Sequence, residues 1–186
     1  MGLALGPQPE PLLAPTEALL RGFVFDEPAP AAPAAGGSAG GVLLRQGFRI
    51  GALRLAIGYQ DGSELTELPP VYRVPRAPAW FLGMANLHGA LVPVFDPAPL
   101  FGVAHEDGAK PMLLVLGHGE ARAGLVIDGL PVRLRLAGDD AIEHGALPPR
   151  LAACAGAAWW AEGADWLDLQ VDALLAQLDE ELAATA

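Results

Sequence analysis

Between Leu68 and Gly102 the chain reads LPPVYRVPRAPAWFLGMANLHGALVPVFDPAPLFG, and this stretch constrains the fold more than any other. A short apolar strand candidate, Val71 to Val74, is set against Pro75 and Pro78, and the aromatic pair Trp80-Phe81 follows. Two apolar runs, Met84 to Leu87 and Ala90 to Val94, then meet at His88-Gly89. Each run has the length of an ordinary strand, and Gly89 can supply the positive φ of a tight connection, so the pattern predicts a β-hairpin. Pro93 donates no ladder hydrogen bond, so the second strand is expected to end, bulge or lie at an edge there.

The remaining chain repeats this grammar. Leu43 to Ile50 and Leu53 to Ile57 flank Gly51-Ala52, and in the second run Leu53, Leu55 and Ile57 alternate with Arg54 and Ala56, as on a strand with one wet face. Gly58 to Leu65 is polar and reads as a turn. A charged loop, His105 to Lys110, opens onto Met112 to Leu116. Gly117 to Glu120 then turns into the run Ala121 to Ile127. Val132, Leu134 and Leu136 alternate with Arg133 and Arg135, and Ala157 to Ala161 pairs naturally with Trp166 to Leu169 across Gly163. Many short strands with Gly and Pro punctuation point to a barrel or a sandwich. Only the C-terminus changes period: Val171, Leu174, Leu175, Leu178 and Leu182 share one face of a helix. Core packing is the favoured use of that face, and an exposed partner-binding helix is the alternative.

Residues 1–41 form a separate zone rich in Pro, Ala and Gly, ending in the run from Pro28 to Gly41. Such a composition buries too little apolar bulk to offset its ordering entropy and reads as a flexible linker. Residues 16–25 are its exception. Thr16 can cap a short helix carrying Leu19 and Leu20, Gly22 can stop it, and an apolar stub with Phe23 and Phe25 follows. This stub either folds back on its own domain or serves as a short linear motif for a partner, ordering on binding. Residues 42–186 are the folded domain.

Composition limits the chemistry. A net charge of −11 with one lysine, Lys110, leaves no clustered cations for a phosphate backbone, so nucleic acid is not an expected partner. No apolar run approaches the roughly 18 to 20 residues that span a bilayer, so no direct membrane insertion is expected. Met1 to Pro15 carries no basic residue, against a secretory signal, and Gly6 stands where a myristoylation signal wants Ser or Thr. The lone Cys154 lies among small residues, which suits a buried thiol in a reducing compartment; a nucleophilic cysteine would need a basic neighbour that the sequence does not place beside it. His88, His105, His118 and His144 fall in separate turns without metal-ligand spacing, so no metal or other cofactor is expected. Asp96 and Asp128 each follow an apolar run, where aspartates cap turns; the two could also meet in space as a carboxylate pair. Reactive groups are too few for an enzyme.

The ordered motif Pro69-Pro70, Val74-Pro75, Ala77-Pro78-x-Trp80, Leu82-Gly83-x-x-Asn86-Leu87-x-Gly89, Leu91-Val92-Pro93-Val94 and Phe101-Gly102 resembles the CheW-like domain of bacterial chemosensory arrays, and the resemblance continues through Gly124 to Asp128 and to the C-terminus. It implies a mainly β fold of two packed, small, five-stranded SH3-like barrels with short helices and a C-terminal helix. It also implies a non-catalytic cytoplasmic adaptor associated with membrane-bound receptor arrays. The implied partners are the regulatory domain of a chemosensory histidine kinase, the tips of methyl-accepting chemoreceptors, and other CheW-like proteins. By the same resemblance, Gly62, Glu64, Leu65, Leu87, His88 and Gly89 are candidate receptor-groove or kinase-contact residues. Two positions depart from the pattern. His88 stands where the family usually has an Arg paired with the residue matching Glu64, and Gly62 stands where it tends to place an apolar groove residue. With the N-terminal motif Leu19, Leu20, Phe23 and Phe25, these departures raise an alternative: a specialised member that recruits the array to a cell pole through a localisation factor. An unrelated all-β interaction domain is the other.

Overall fold

The computed structural model describes residues 42–185; the candidate motif at Leu19, Leu20, Phe23 and Phe25 lies outside the described residues. In chain order the elements are β1 (Leu43–Ile50), β2 (Leu53–Gly58), β3 (Gly62–Glu67), β4 (Val71–Tyr72), β5 (Phe81–Leu87), β6 (Ala90–Phe95), α1 (Pro97–Phe101), β7 (Pro111–Leu116), β8 (Ala123–Asp128), β9 (Val132–Leu136), β10 (Ala141–Ile142), α2 (Pro149–Ala152), β11 (Ala155–Ala161), β12 (Ala164–Leu169) and α3 (Val171–Thr185). They form two six-stranded sheets, ordered β10-β11-β12-β2-β1-β9 and β3-β7-β8-β6-β5-β4. One strand in each, β10 or β4, is only two residues long, so each sheet has five full strands.

Both sheets curl. In the first, Trp159 of β11 packs with Leu134 and Leu136 of β9, although β9 lies at the far edge of the strand order. In the second, Glu64 on the edge strand β3 reaches His88 in the β5–β6 turn. Contact between strands this far apart in the order is what rolling into a small barrel produces.

Two apolar clusters fill the barrels, and a third, larger one fills the seam between them and under the helices. β7 shows the sorting by period two: Leu113 and Val115 face the second barrel's interior, while Met112, Leu114 and Leu116 face the seam. A strand wet on neither face loses the polar alternation, which is why β7 and β8 read as unbroken apolar runs. The same geometry corrects the reading of β2. Ala56 is fully buried between Leu134, Trp159 and Trp166, and only Arg54 on that face is wet. Gly62 to Leu65 likewise belongs to β3 rather than to a turn. β3 is an edge strand paired only with β7, with a bulge between Gly62 and Glu64, so polar residues there need not enter a core.

The β5–β6 hairpin turns at His88 (φ 53°) and Gly89 (φ 87°), positive at both centres as in a type I′ turn, and Asn86 Oδ1 accepts the Gly89 N–H at 2.9 Å. Pro93 does not end β6. It pairs with Met84 on one side, and β8 joins the other side only from Val94, so the proline sits where that edge is still unpaired. Gly83 is required by close approach: at its φ of 131° a Cβ would lie 2.1 Å from the Tyr72 carbonyl oxygen.

The C-terminal helix α3 buries Val171, Leu174 and Leu178 in the seam cluster, with Leu175 and Leu182 partly covered, so its apolar face is core. Burial at about 1.5–3 kcal/mol per large side chain outweighs the unfavourable acidic C-terminal turn, a few tenths of a kcal/mol per charge. Cys154 is buried in the same cluster and its thiol is pushed up to about 11 by burial, so it is a packing group. No helix among the described residues is long and apolar enough to cross a membrane.

Candidate protein-docking site

Glu64 and His88 come together: His88 Nε2 lies 2.9 Å from Glu64 Oε1, with the His88 side chain 80% exposed and that of Glu64 28% exposed. The turn that carries His88 is held by Leu87, which points into the second barrel's core, while Gly89 opens to solvent. Leu65 and Gly62 lie on the other face of β3. Their register partners are Leu114 and Leu116, both seam residues, and cross-strand partners share a face. Leu65 is exposed there. At Gly62 a Cβ would come 3.1 Å from Gln46 Oε1 and 3.5 Å from Ile57 Cδ1, so that position faces inward across the seam. The six residues therefore divide into an exposed polar pair, a buried anchor with its turn glycine, and two seam-side positions.

Sequence reasoning missed the part of this surface that belongs to the first barrel. Phe48 and Ile50 of β1 are buried in the seam, and Gln46 and Leu44 continue the same face outward. β9 lies beside it with Arg133 opposite Gln46 and Arg135 opposite Leu44. Both arginines are exposed, and neither forms an ion pair with a described residue. The alternation of Arg133 and Arg135 was visible in the sequence, but their position beside Gln46 exists only through the β1–β9 register.

A second surface lies on the first barrel. β12 and β2 are paired only at Leu167–Leu55 and Asp168–Ala56, and elsewhere they diverge around a cleft of about 470 Å³. Leu53, Ile142 and Leu147 contribute apolar lining, and Trp160 stands half-exposed in its wall. Exposed aromatics in a cleft are frequent anchors for partner proteins.

Asp96 and Asp128 do meet, through a histidine. His105 Nδ1 lies 2.6 Å from Asp128 Oδ1 and His105 Nε2 lies 2.9 Å from Asp96 Oδ1. Each carboxylate also caps backbone. Asp96 accepts the Ala98 N–H at the start of α1, and Asp128 Oδ2 accepts the N–H groups of Gly51 and Glu106 at 2.5 and 3.1 Å. Burial works against the charged form of His105, but the hydrogen bonds to Asp96 and Asp128 outweigh it and raise the imidazole above 6.5. For Asp128 burial is likewise overcome, by the bonds from Gly51, Glu106 and His105, and the carboxyl is lowered. Among the described residues no group of three or more His, Cys, Asp or Glu is arranged to hold a metal ion.

Fold and surfaces together define a two-barrel β module with an exposed Glu64–His88 pair on one barrel and an aromatic-walled cleft on the other. Residues 46–179 match the model of the CheW-like domain, and the chain belongs to that family. Relatives include a probable chemotaxis protein CheW of Rhizobium etli, 30% identical over 84 residues that make up 45% of this chain and 54% of the relative. Protein PilI of Pseudomonas aeruginosa is 29% identical over 83 residues, 44% of this chain and 47% of that protein. The matched stretches thus span about half the length of these relatives. The crystal structure of the scaffolding protein TtCheW from Thermoanaerobacter tengcongensis superposes with a TM-score of 0.59 at 15% identity, covering 68% of this chain and 88% of that one, and shares the fold.

Proposed function

We propose that the protein is a non-catalytic adaptor of a chemosensory array, joining the regulatory domain of a histidine kinase to the tips of chemoreceptors. The observation that carries this reading is the Glu64–His88 pair. It stands where the family resemblance expects an Arg–Glu pair, with His88 in place of the Arg, in a chain whose residues 46–179 match the CheW-like model. An adaptor needs two surfaces that do not overlap. The pair with the seam-side strip of Leu65, Leu44, Arg133 and Arg135 suits a receptor helix, with apolar side chains toward the seam and acidic ones toward the arginines. The Trp160 cleft on the other barrel is then left for the kinase domain. Glu64→Ala is expected to weaken receptor binding and leave kinase binding intact, and Trp160→Ala the reverse. Pull-down and calorimetry with each partner separate the two, and loss of both or of neither with both variants would refute the assignment.

A further inference from the structure

One bridge links the two barrels at the end of β1 away from the docking strip. Gly51, in the β1–β2 turn of the first barrel, donates its N–H to Asp128 at the end of β8 in the second. The 103–110 loop is wedged between them. Gly51 has a φ of +56°, and a Cβ there would lie 1.9 Å from the Ala104 carbonyl oxygen, so turn and loop are in tight contact. Glu106 of the same loop donates its N–H to Asp128 and pairs through its carboxylate with Arg49 of β1 at 2.7 Å. His105 completes the joint by spanning Asp128 and Asp96.

The proton count at His105 is fixed by its partners. A neutral imidazole carries one N–H and one lone pair, so it can donate to only one carboxylate, and its bare nitrogen would face the other oxygen lone pair to lone pair. Both contacts are bonding only in the imidazolium form. Moving the second proton to a carboxyl instead would weaken the bonds that Asp128 accepts from Gly51 and Glu106 and that Asp96 accepts from Ala98. The charged groups facing the ring are Asp96 from the β6–α1 junction and Asp128 from β8. Arg49 of β1 reaches the loop only through Glu106, and the β1–β2 turn presents backbone.

We propose that His105 is a proton-dependent latch between the two barrels. As imidazolium it pins the 103–110 loop to both carboxylates; on losing a ring proton it lets one go, and the β1–β2 turn loosens from the end of β8. The burial of the ring works against its charge, but the hydrogen bonds to Asp96 and Asp128 outweigh it and place the transition above pH 6.5. The latch does not depend on the adaptor reading, since it needs only this chain.

The test is nitrogen NMR of the full-length protein labelled at histidine. Both His105 ring nitrogens should carry protons at pH 6, with a single midpoint above 6.5. Exchange of the Gly51 and Glu106 amides should rise across that midpoint by at least about tenfold beyond the trend of freely exposed amides. His105→Gln should abolish the pH-dependent step in amide exchange. A His105 midpoint at or below 6.5, a single protonated ring nitrogen at pH 6, or amide exchange without a step would overturn the latch. Should His105→Gln fail to fold, the ring titration of the unaltered protein still decides.

Discussion

His88 reaches Glu64 from a left-handed backbone position with most of its ring in water, so the pair is conditional on charge. An exposed pair of this kind is worth at most about 1 kcal/mol, and it is an ion pair only while the ring is protonated. His88→Arg is therefore expected to change melting by little while tightening receptor binding, since a guanidinium stays charged and can grip the carboxylate with two donors. Unchanged receptor affinity would refute a docking role for the pair. His105 works in the opposite sense, as part of the fold. Its pKa is raised in the folded state, so its stabilisation is fully present below about pH 6.5 and is lost as pH rises through the folded pKa. Thermal melts should show wild type exceeding His105→Gln most at pH 6 and least at pH 9; a constant gap would contradict that sign. The β5–β6 turn was legible from Gly89, but the meeting of His88 with Glu64 came only from the family resemblance. The His105 bridge was not. Each carboxylate reads as an ordinary turn cap, and nothing in the spacing says that one loop histidine will reach both.

Among the elements, hairpins were legible where Gly and polar residues interrupt apolar runs, as at Gly51-Ala52, His88-Gly89 and Gly163. β3 was obscured by Gly62-Ser63-Glu64, whose polarity is tolerated because an edge strand needs only one neighbour. Ala56 misled in the other direction, being small enough to count as polar-face filler while lying at the centre of the first barrel. The helix α3 was plain from its leucine spacing, and its packing makes a firm prediction. Leu178 is 1% exposed, and Leu178→Ala should cost about 2–5 kcal/mol by chemical denaturation. A loss under 1 kcal/mol would mean that the helix is a detachable arm rather than core. Gly83→Ala should be similarly damaging, because the new methyl would meet the Tyr72 carbonyl with no side chain able to yield.

At the scale of the whole molecule, composition and strand count bounded the class, but the division into two barrels came from resemblance. It is now carried by the strand order, the three separate clusters and the superposition on TtCheW. What stayed illegible is long-range by nature: the strip of Leu44, Gln46, Arg133 and Arg135 exists only once β1 and β9 lie side by side. The segment 1–41 carries a prediction of its own. If it recruits the protein to a cell pole, a fluorescent fusion lacking residues 1–41 should lose that position, and unchanged placement would exclude the role. The central claim is that this two-barrel module bridges a kinase and a receptor. Its most direct test is calorimetric titration of the full-length protein into the isolated regulatory domain of the chemosensory kinase from the same organism. The account predicts saturable one-to-one binding in the micromolar range that Trp160→Ala abolishes and Glu64→Ala spares. No detectable heat from a sample shown to be folded by circular dichroism would contradict it.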